Sequence, residues 1–243
     1  MSSLRIGMLT PSSNTVLEPV TSRILAGLAD VSVHFSRFRV TAIGLDPGLL
    51  GQFDDRLMLR AAELLADAKV DVISWNGTSA GWLGLDTDRR LCERIRAATG
   101  IPASTSVLAL FDVMRRRGER RLGLVTPYTD DVQQAIAANF AREGVEVVAE
   151  RHLGISDNFS FALVDDRTMS AMVDDVAAAR PDAIAIFCTN LAGADLVAGL
   201  EARHDIAVHD SIATAVYGAL DAVGRPMADL VPFGRLFATA RNP

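Results

Sequence analysis

The strongest constraint on this chain is an internal repeat. Asp71-Val-Ile-Ser-Trp-Asn-Gly77-Thr78-Ser79 aligns without a gap on Asp182-Ala-Ile-Ala-Ile-Phe-Cys188-Thr189-Asn190, so that Gly77 falls on Cys188. A second pair, Gly7-Met-Leu-Thr-Pro-Ser-Ser-Asn14 and Gly123-Leu-Val-Thr-Pro-Tyr-Thr-Asp130, precedes it in each half. A weaker third pair, Ile101-Pro-Ala-Ser-Thr-Ser106 and Ile206-Ala-Val-His-Asp-Ser211, follows it. Three pairs in one order with similar spacing indicate a duplication.

In the first two pairs each unit reads as a short buried strand running into a polar turn and a helix. The apolar run from Ala183 to Phe187 is bounded like a core strand. Thr189 and Asn190 are N-cap residues, and a helical apolar pattern follows from Leu191 to Leu200. Strands alternating with helices imply parallel sheets with right-handed crossovers. The expected fold class is therefore α/β, with two similar doubly wound parallel-sheet subdomains related by pseudo-twofold symmetry and an active site in the cleft between them. The expected division is 1–117 and 118–224, with 225–243 returning to complete the first subdomain. Ligands of such sheets bind beyond the carboxyl ends of the strands, where both repeated turns fall.

At 243 residues, 49% hydrophobic and 22% charged, the chain can bury a sizeable core. A net charge of −6 argues against a nucleic-acid partner, and the run Arg115-Arg116-Arg117 suits a helix end beside Gly118. No apolar stretch reaches the ~18 residues of a membrane span, and the N-terminus lacks a signal-peptide core. A soluble cytoplasmic protein without a membrane partner is expected. Cys92 and Cys188 form no Cys-x-x-Cys, and His34, His152, His204 and His209 match no ligand spacing, so no metal is expected. No Gly-x-Gly-x-x-Gly follows a strand, which disfavours a dinucleotide cofactor. A homo-oligomer is compatible with all of this.

Cys188 is the first candidate for chemistry. A lone cysteine is often one more small core residue. Its place at a duplicated strand–helix turn points instead to a reactive group, because a helix N-terminus favours anions and lowers a thiol pKa. It can serve as a nucleophile or a proton donor. Gly77-Thr78-Ser79 offers consecutive N–H groups and two hydroxyls at a helix start, suited to a carboxylate or an enolate oxygen, with plain capping as the alternative. Tyr128, placed like Ser12 of the first half, can donate to an oxyanion. Asn14 and Asn158 can present amides to a carboxylate, and His209 is the one candidate base from a matching turn. The loop from Thr41 to Gly51, with Gly44, Pro47 and Gly48, reads as a lid.

With these residues in view, the chain resembles the aspartate/glutamate racemase superfamily, in its branch of arylmalonate decarboxylases and maleate cis-trans isomerases. The likeness spans nearly the whole sequence. It rests on the Gly7–Asn14 motif, Gly77-Thr78-Ser79, Thr126-Pro-Tyr128-Thr-Asp130-Asp131, Leu153-Gly-Ile155, Cys188 and Gly234-Arg235-Leu-Phe237. The resemblance implies cofactor-independent chemistry on a small dicarboxylate held between two facing halves. Racemases and maleate isomerases of this kind use two cysteines, one per half, whereas arylmalonate decarboxylases pair a glycine with one cysteine. By that likeness Gly77, Thr78, Ser79 and Tyr128 stabilise an enediolate and Cys188 protonates it. Pro11, Ser12, Asn14, Asn76, Asn158, Thr189 and Asn190 would contact substrate.

Two features pull apart. The missing first cysteine points to a decarboxylase. The Pro11–Asn14 and Asp157-Asn158 segments look more like maleate isomerases, and Asn76 and Asn190 add polarity to a cleft that decarboxylation needs dry. A missing nucleophile costs more than an altered pocket, so the expectation is a decarboxylase of a 2-substituted malonate. A maleate isomerase or related racemase-type isomerase is the alternative, and a carboxylate-binding protein without turnover the third reading.

Overall fold

A computed structural model describes residues 3–239. The outer ends of the segments expected to build the first subdomain, 1–2 and 240–243, lie outside the described residues. Among the described residues eight strands form two four-stranded parallel sheets. In the first half these are β1 (Leu4–Pro11), β2 (Val31–Phe38), β3 (Val72–Trp75) and β4 (Ala103–Thr105), in the order β2-β1-β3-β4. In the second they are β5 (Arg121–Thr126), β6 (Glu146–His152), β7 (Ala183–Ile186) and β8 (Ala207–Asp210), in the order β6-β5-β7-β8. The two orders are identical under the repeat, which is the expected doubly wound architecture.

The repeated residues have matching jobs. Asp71 accepts a hydrogen bond from the Arg5 backbone N–H at 2.7 Å, and Asp182 accepts one from Arg121 N–H at 2.8 Å. Each aspartate thus ties the entry of its strand to the first strand of its own half. Gly7 and Gly123 lie at the centre of those first strands. A Cβ at Gly7 would sit 3.1 Å from Leu65, and one at Gly123 would sit 3.1 Å from Val176. The crossover helices Asp55–Asp67 and Asp166–Ala177 approach the sheets at these two bare points. Their N-termini are capped alike, by Asp54 on Arg56 N–H and by Asp165 on Thr168 N–H.

The third repeat lies where the halves join. Ser106 Oγ donates to the Ser211 carbonyl at 2.6 Å and lies 2.9 Å from Thr214 Oγ1. The two residues paired in the sequence therefore meet in space. Thr105 and Asp210 cap the helices that follow, Ser106–Arg117 and Ser211–Ala222. The second of these helices lies over the first half, where Ile212, Val216, Tyr217 and Leu220 pack with Ile6, Met8 and Val72. Gly218 permits that approach, because a Cβ there would collide with Ser104 Oγ and lie 2.7 Å from Ala109 Cβ. Leu230, Leu236 and Phe237 of the tail join the same cluster. Reciprocally, Phe111 of the helix Ser106–Arg117 meets Phe140 of the second half edge-on, with ring centroids 4.9 Å apart.

Two helical expectations need correction. The chain does not enter a helix at Leu191. Residues 188–193 form turns, a short 3-10 turn spans Ala194–Leu196, and the helix proper is Val197–His204. Asn190 is the physical reason, because its side chain is drawn out of any cap to Asn158 and to the Thr15 backbone. After Gly77-Thr78-Ser79 the helix is a single turn, Ala80–Leu83, too short to add up a sizeable macrodipole. Among the described residues, no helix is long and apolar enough to cross a membrane.

Candidate active site

The carboxyl ends of β1, β3, β5 and β7 converge on a narrow cavity. Pro11, Gly77, Thr78, Ser79, Tyr128, Asn158, Cys188 and Thr189 line it, so eight of the residues singled out by sequence come together. The rest of the lining was not foreseen: Val40, Ile43, Phe53, Trp75 and Trp82. These give one side of the cavity an apolar, aromatic wall. Phe53, Trp82, Tyr128 and Phe161 form a chain of edge-on rings with centroids 5.3 to 5.6 Å apart. The predicted lid region carries a short helix, Pro47–Leu50, and is stitched to the opposite half. Ile43 N–H donates to the Ser156 carbonyl at 2.8 Å, and Asn158 N–H to the Thr41 carbonyl at 3.0 Å.

Cys188 is 3% exposed, and its Sγ accepts a weak hydrogen bond from Asn190 N–H at 3.4 Å. Burial pushes the thiol up to about 11, and the Tyr128 hydroxyl and the nearby N–H groups only partly oppose this. The expected lowering of this pKa is therefore reversed, because no helix begins at the thiol and water is excluded. At neutral pH Cys188 is a neutral thiol, a proton donor rather than a ready nucleophile. Cys92, by contrast, lies outside the cavity lining, and burial pushes its thiol up to about 12.

Across the cavity, Thr78 Oγ1 lies 2.6 Å from the Tyr128 hydroxyl, joining the two halves. Burial, followed by the proximity of Cys188, raises the Tyr128 phenol well above its ordinary range. Both hydroxyls stay protonated and able to donate. Gly77 holds no spare room. A Cβ built there would lie 2.5 Å from Trp75 Cε2 and Cη2, and closer still to Cζ2. The position that a first-half thiol would need is filled by an indole.

The asparagines do not line the cavity as expected, apart from Asn158. Asn14 Oδ1 caps the helix Leu17–Leu25 through Val16 and Leu17 N–H, while its amide donates to the Thr189 carbonyl at 3.0 Å. Asn190 accepts from Thr15 N–H and donates to the Asn158 carbonyl at 2.6 Å. Asn76 donates to the Ser74 carbonyl, and Ser12 Oγ is engaged with the Val40 backbone. Asn158 faces the cavity but gives its amide to Ser13 Oγ at 2.7 Å. Asn14, Asn158 and Asn190 fasten one half to the other, so most of the polarity inferred from sequence is spent in the walls, while Asn76 Oδ1 is left without a partner.

His209 is absent from the lining. It is fully buried on β8, with Nε2 2.8 Å from Glu119 Oε2, so it is not placed as a base for Cys188. Asp210 is engaged as a helix cap. Neither supports a thiol–imidazole dyad.

Comparison with known proteins agrees with this fold. A profile of the family described as arylmalonate decarboxylase matches residues 19–237. The chain is 28% identical over 235 residues to the arylmalonate decarboxylase of Bordetella bronchiseptica, covering 96% of this chain and 95% of that protein. It is 27% identical over 231 residues to the maleate isomerase of Pseudomonas putida, covering 90% and 91%. The structure of the maleate isomerase of Pseudomonas putida S16 with maleate superposes with a TM-score of 0.86 at 27% identity, over 98% of each chain. Both kinds of relative share this two-sheet fold, and the match over 19–237 takes in all eight site residues except Pro11. By that match, over most of its length, this chain belongs to the arylmalonate decarboxylase family.

Proposed function

We propose that this protein is a cofactor-independent decarboxylase of a 2-substituted malonate. The observation that carries the reading is a single buried thiol, Cys188, opposed by a turn with no room for a second one at Gly77. One carboxylate of the substrate lies against the apolar wall of Val40 and Ile43, where loss of hydration favours its departure. The bond between that carboxyl and C2 breaks, and its electron pair passes into the remaining carboxyl to give an enediolate and carbon dioxide. Thr78, Ser79 and Tyr128 supply hydroxyls to the enediolate oxygens. Cys188 gives its Sγ proton to C2 from one face, and the thiolate regains a proton from water. The thiol form that burial favours is the form this step needs. The aromatic wall suits an aryl substituent on C2.

Isomerisation of maleate is the second reading, supported by the likeness to maleate isomerases and by Asn158 in the lining. It asks Cys188 to attack an alkene as thiolate, which burial opposes. Proton NMR in D2O separates the two. Phenylmalonate should yield phenylacetate carrying deuterium at C2, and Cys188→Ala should abolish it. Fumarate from maleate, with phenylmalonate untouched, would replace the first reading by the second.

A further inference from the structure

The residue that displaces a thiol from Gly77 is itself a donor in search of a partner. Trp75 ends β3, is fully buried and lines the same cavity as Cys188. Its Nε1–H has no hydrogen-bond partner. Buried N–H groups are nearly always partnered, and those left over in a native structure mark places where a ligand or water completes the set. The unpartnered nitrogen is bonded to Cε2, and Cε2 is one of the ring atoms that occupy the Cβ position above Gly77. The free donor therefore sits at the very turn that carries Thr78 and Ser79. Phe38 packs on the indole at a centroid distance of 5.1 Å and holds its plane. Trp82 Nε1 is likewise unpartnered, but its ring stands between Phe53 and Tyr128, on the wall assigned to the substituent.

We propose that Trp75 is a substrate-binding residue that takes the place of the missing first-half thiol: its ring fills the space above Gly77 and its Nε1–H donates a hydrogen bond to a carboxylate oxygen of the bound dicarboxylate. The identity of that dicarboxylate as a malonate rests on the function proposed above. The role has two consequences. The oxygen set of Thr78, Ser79 and Tyr128 gains a fourth donor, fixed by packing instead of by a flexible side chain. One face of C2 is closed to any acid from the first half, so protonation is left to Cys188.

The chain contains two tryptophans, so the donor can be observed directly. In ¹⁵N-labelled Cys188→Ala protein, titrated separately with phenylmalonate and with maleate, the two indole N–H resonances are assigned through Trp75→Phe and Trp82→Phe. The Trp75 indole proton should move downfield on binding, and its exchange with solvent should slow. Trp75→Phe in the otherwise unaltered protein should weaken phenylmalonate binding by about 10- to 100-fold, as expected for a lost hydrogen bond to a charged group, with a smaller effect on kcat than on KM. A Trp75 resonance that stays in place while backbone amides of the Gly77–Ser79 turn report saturation would overturn the inference and leave the decarboxylase reading intact. A shift with maleate alone would support the donor and remove the malonate assignment. Binding of neither compound would overturn both.

Discussion

The Thr78 and Tyr128 hydroxyl oxygens stand 2.6 Å apart, one from each half of a duplicated chain. One of the two protons lies between them, and the other remains to be offered to substrate. Because Tyr128 is buried beside Trp82 and Phe161, the pair keeps a fixed direction and both protons. Thr78→Val and Tyr128→Phe should each lower kcat by about 10²- to 10³-fold, the usual loss of one oxyanion donor. The double variant should lose little more than the worse single one, since either change dismantles the pair. Steady-state kinetics with phenylmalonate checks this, and fully multiplicative losses would mean that the hydroxyls act separately.

Cys188 sets the pH behaviour. Its pKa is raised to about 11 from the ordinary 9.0, so the donor form persists through neutral pH and disappears as pH rises through about 11. The rate should therefore be level from pH 7 to about 10 and fall as pH rises through about 11. A thiolate nucleophile would give the opposite slope. The same shift carries a stability effect of definite sign. The folded state holds the proton more tightly than the unfolded state, so this contribution is complete below pH 9 and is lost between 9 and about 11. Cys188→Ala should remove both the rate profile and this part of the stability profile, and lower the rate by at least ~10²-fold.

Much of this was legible because the duplication shows each motif twice. The central strands β1, β3, β5 and β7 are apolar runs, and the turns that follow them carry the repeated Gly77, Thr78, Cys188 and Thr189. The edge strands β4 and β8 were hidden because Ser104, Thr105, His209 and Asp210 interrupt any apolar pattern. The burial of β4 comes in part from the helix Ser211–Ala222, which arrives much later in the chain. The direction of an amide is also invisible in sequence. Asn14, Asn76 and Asn190 sit at the right turns yet bond to protein groups, which makes the cavity drier than their number suggests. Of the unforeseen lining residues, Trp75 left a signal, because it ends β3 two residues before Gly77, close enough for its ring to fold over the turn.

That overlap changes what a second cysteine can achieve. Gly77→Cys alone forces a side chain into the Trp75 ring, an overpacking of ~1–3 kcal/mol, and should not yield a racemase. Gly77→Cys combined with Trp75→Leu clears the space, and Cys188 then faces a second acid. The double variant should exchange deuterium into C2 of enantiopure 2-phenylpropionate and racemise it, at a KM raised by the loss of the indole. Polarimetry and proton NMR in D2O report the two events. Racemisation by Gly77→Cys alone at the rate of the double variant would mean that the Trp75 ring moves aside freely.

Asp210 makes a prediction that does not depend on the substrate. One carboxylate oxygen caps the last helix through Ile212 and Ala213 N–H at 2.8 and 3.1 Å, while the other has no partner. Burial pushes this carboxyl up to about 7 from 3.8, with the two backbone hydrogen bonds in opposition and Asp195 adding to the rise. The unfolded chain ionises first, so stability is complete below pH 3.8 and declines as pH rises through about 7. Asp88, buried on the helix Leu85–Thr99 and also raised to about 7, adds a parallel decline. Asp210→Asn keeps an oxygen for the cap and has nothing to ionise. It should be close to the parent at pH 4.5 and more stable at pH 8, with Asp88 accounting for the slope that remains. Urea unfolding at the two pH values measures the difference. A variant less stable at pH 8 than at 4.5, relative to its parent, would mean that Asp210 is ionised in the native fold and that its charge holds the Ser211–Ala222 helix in place.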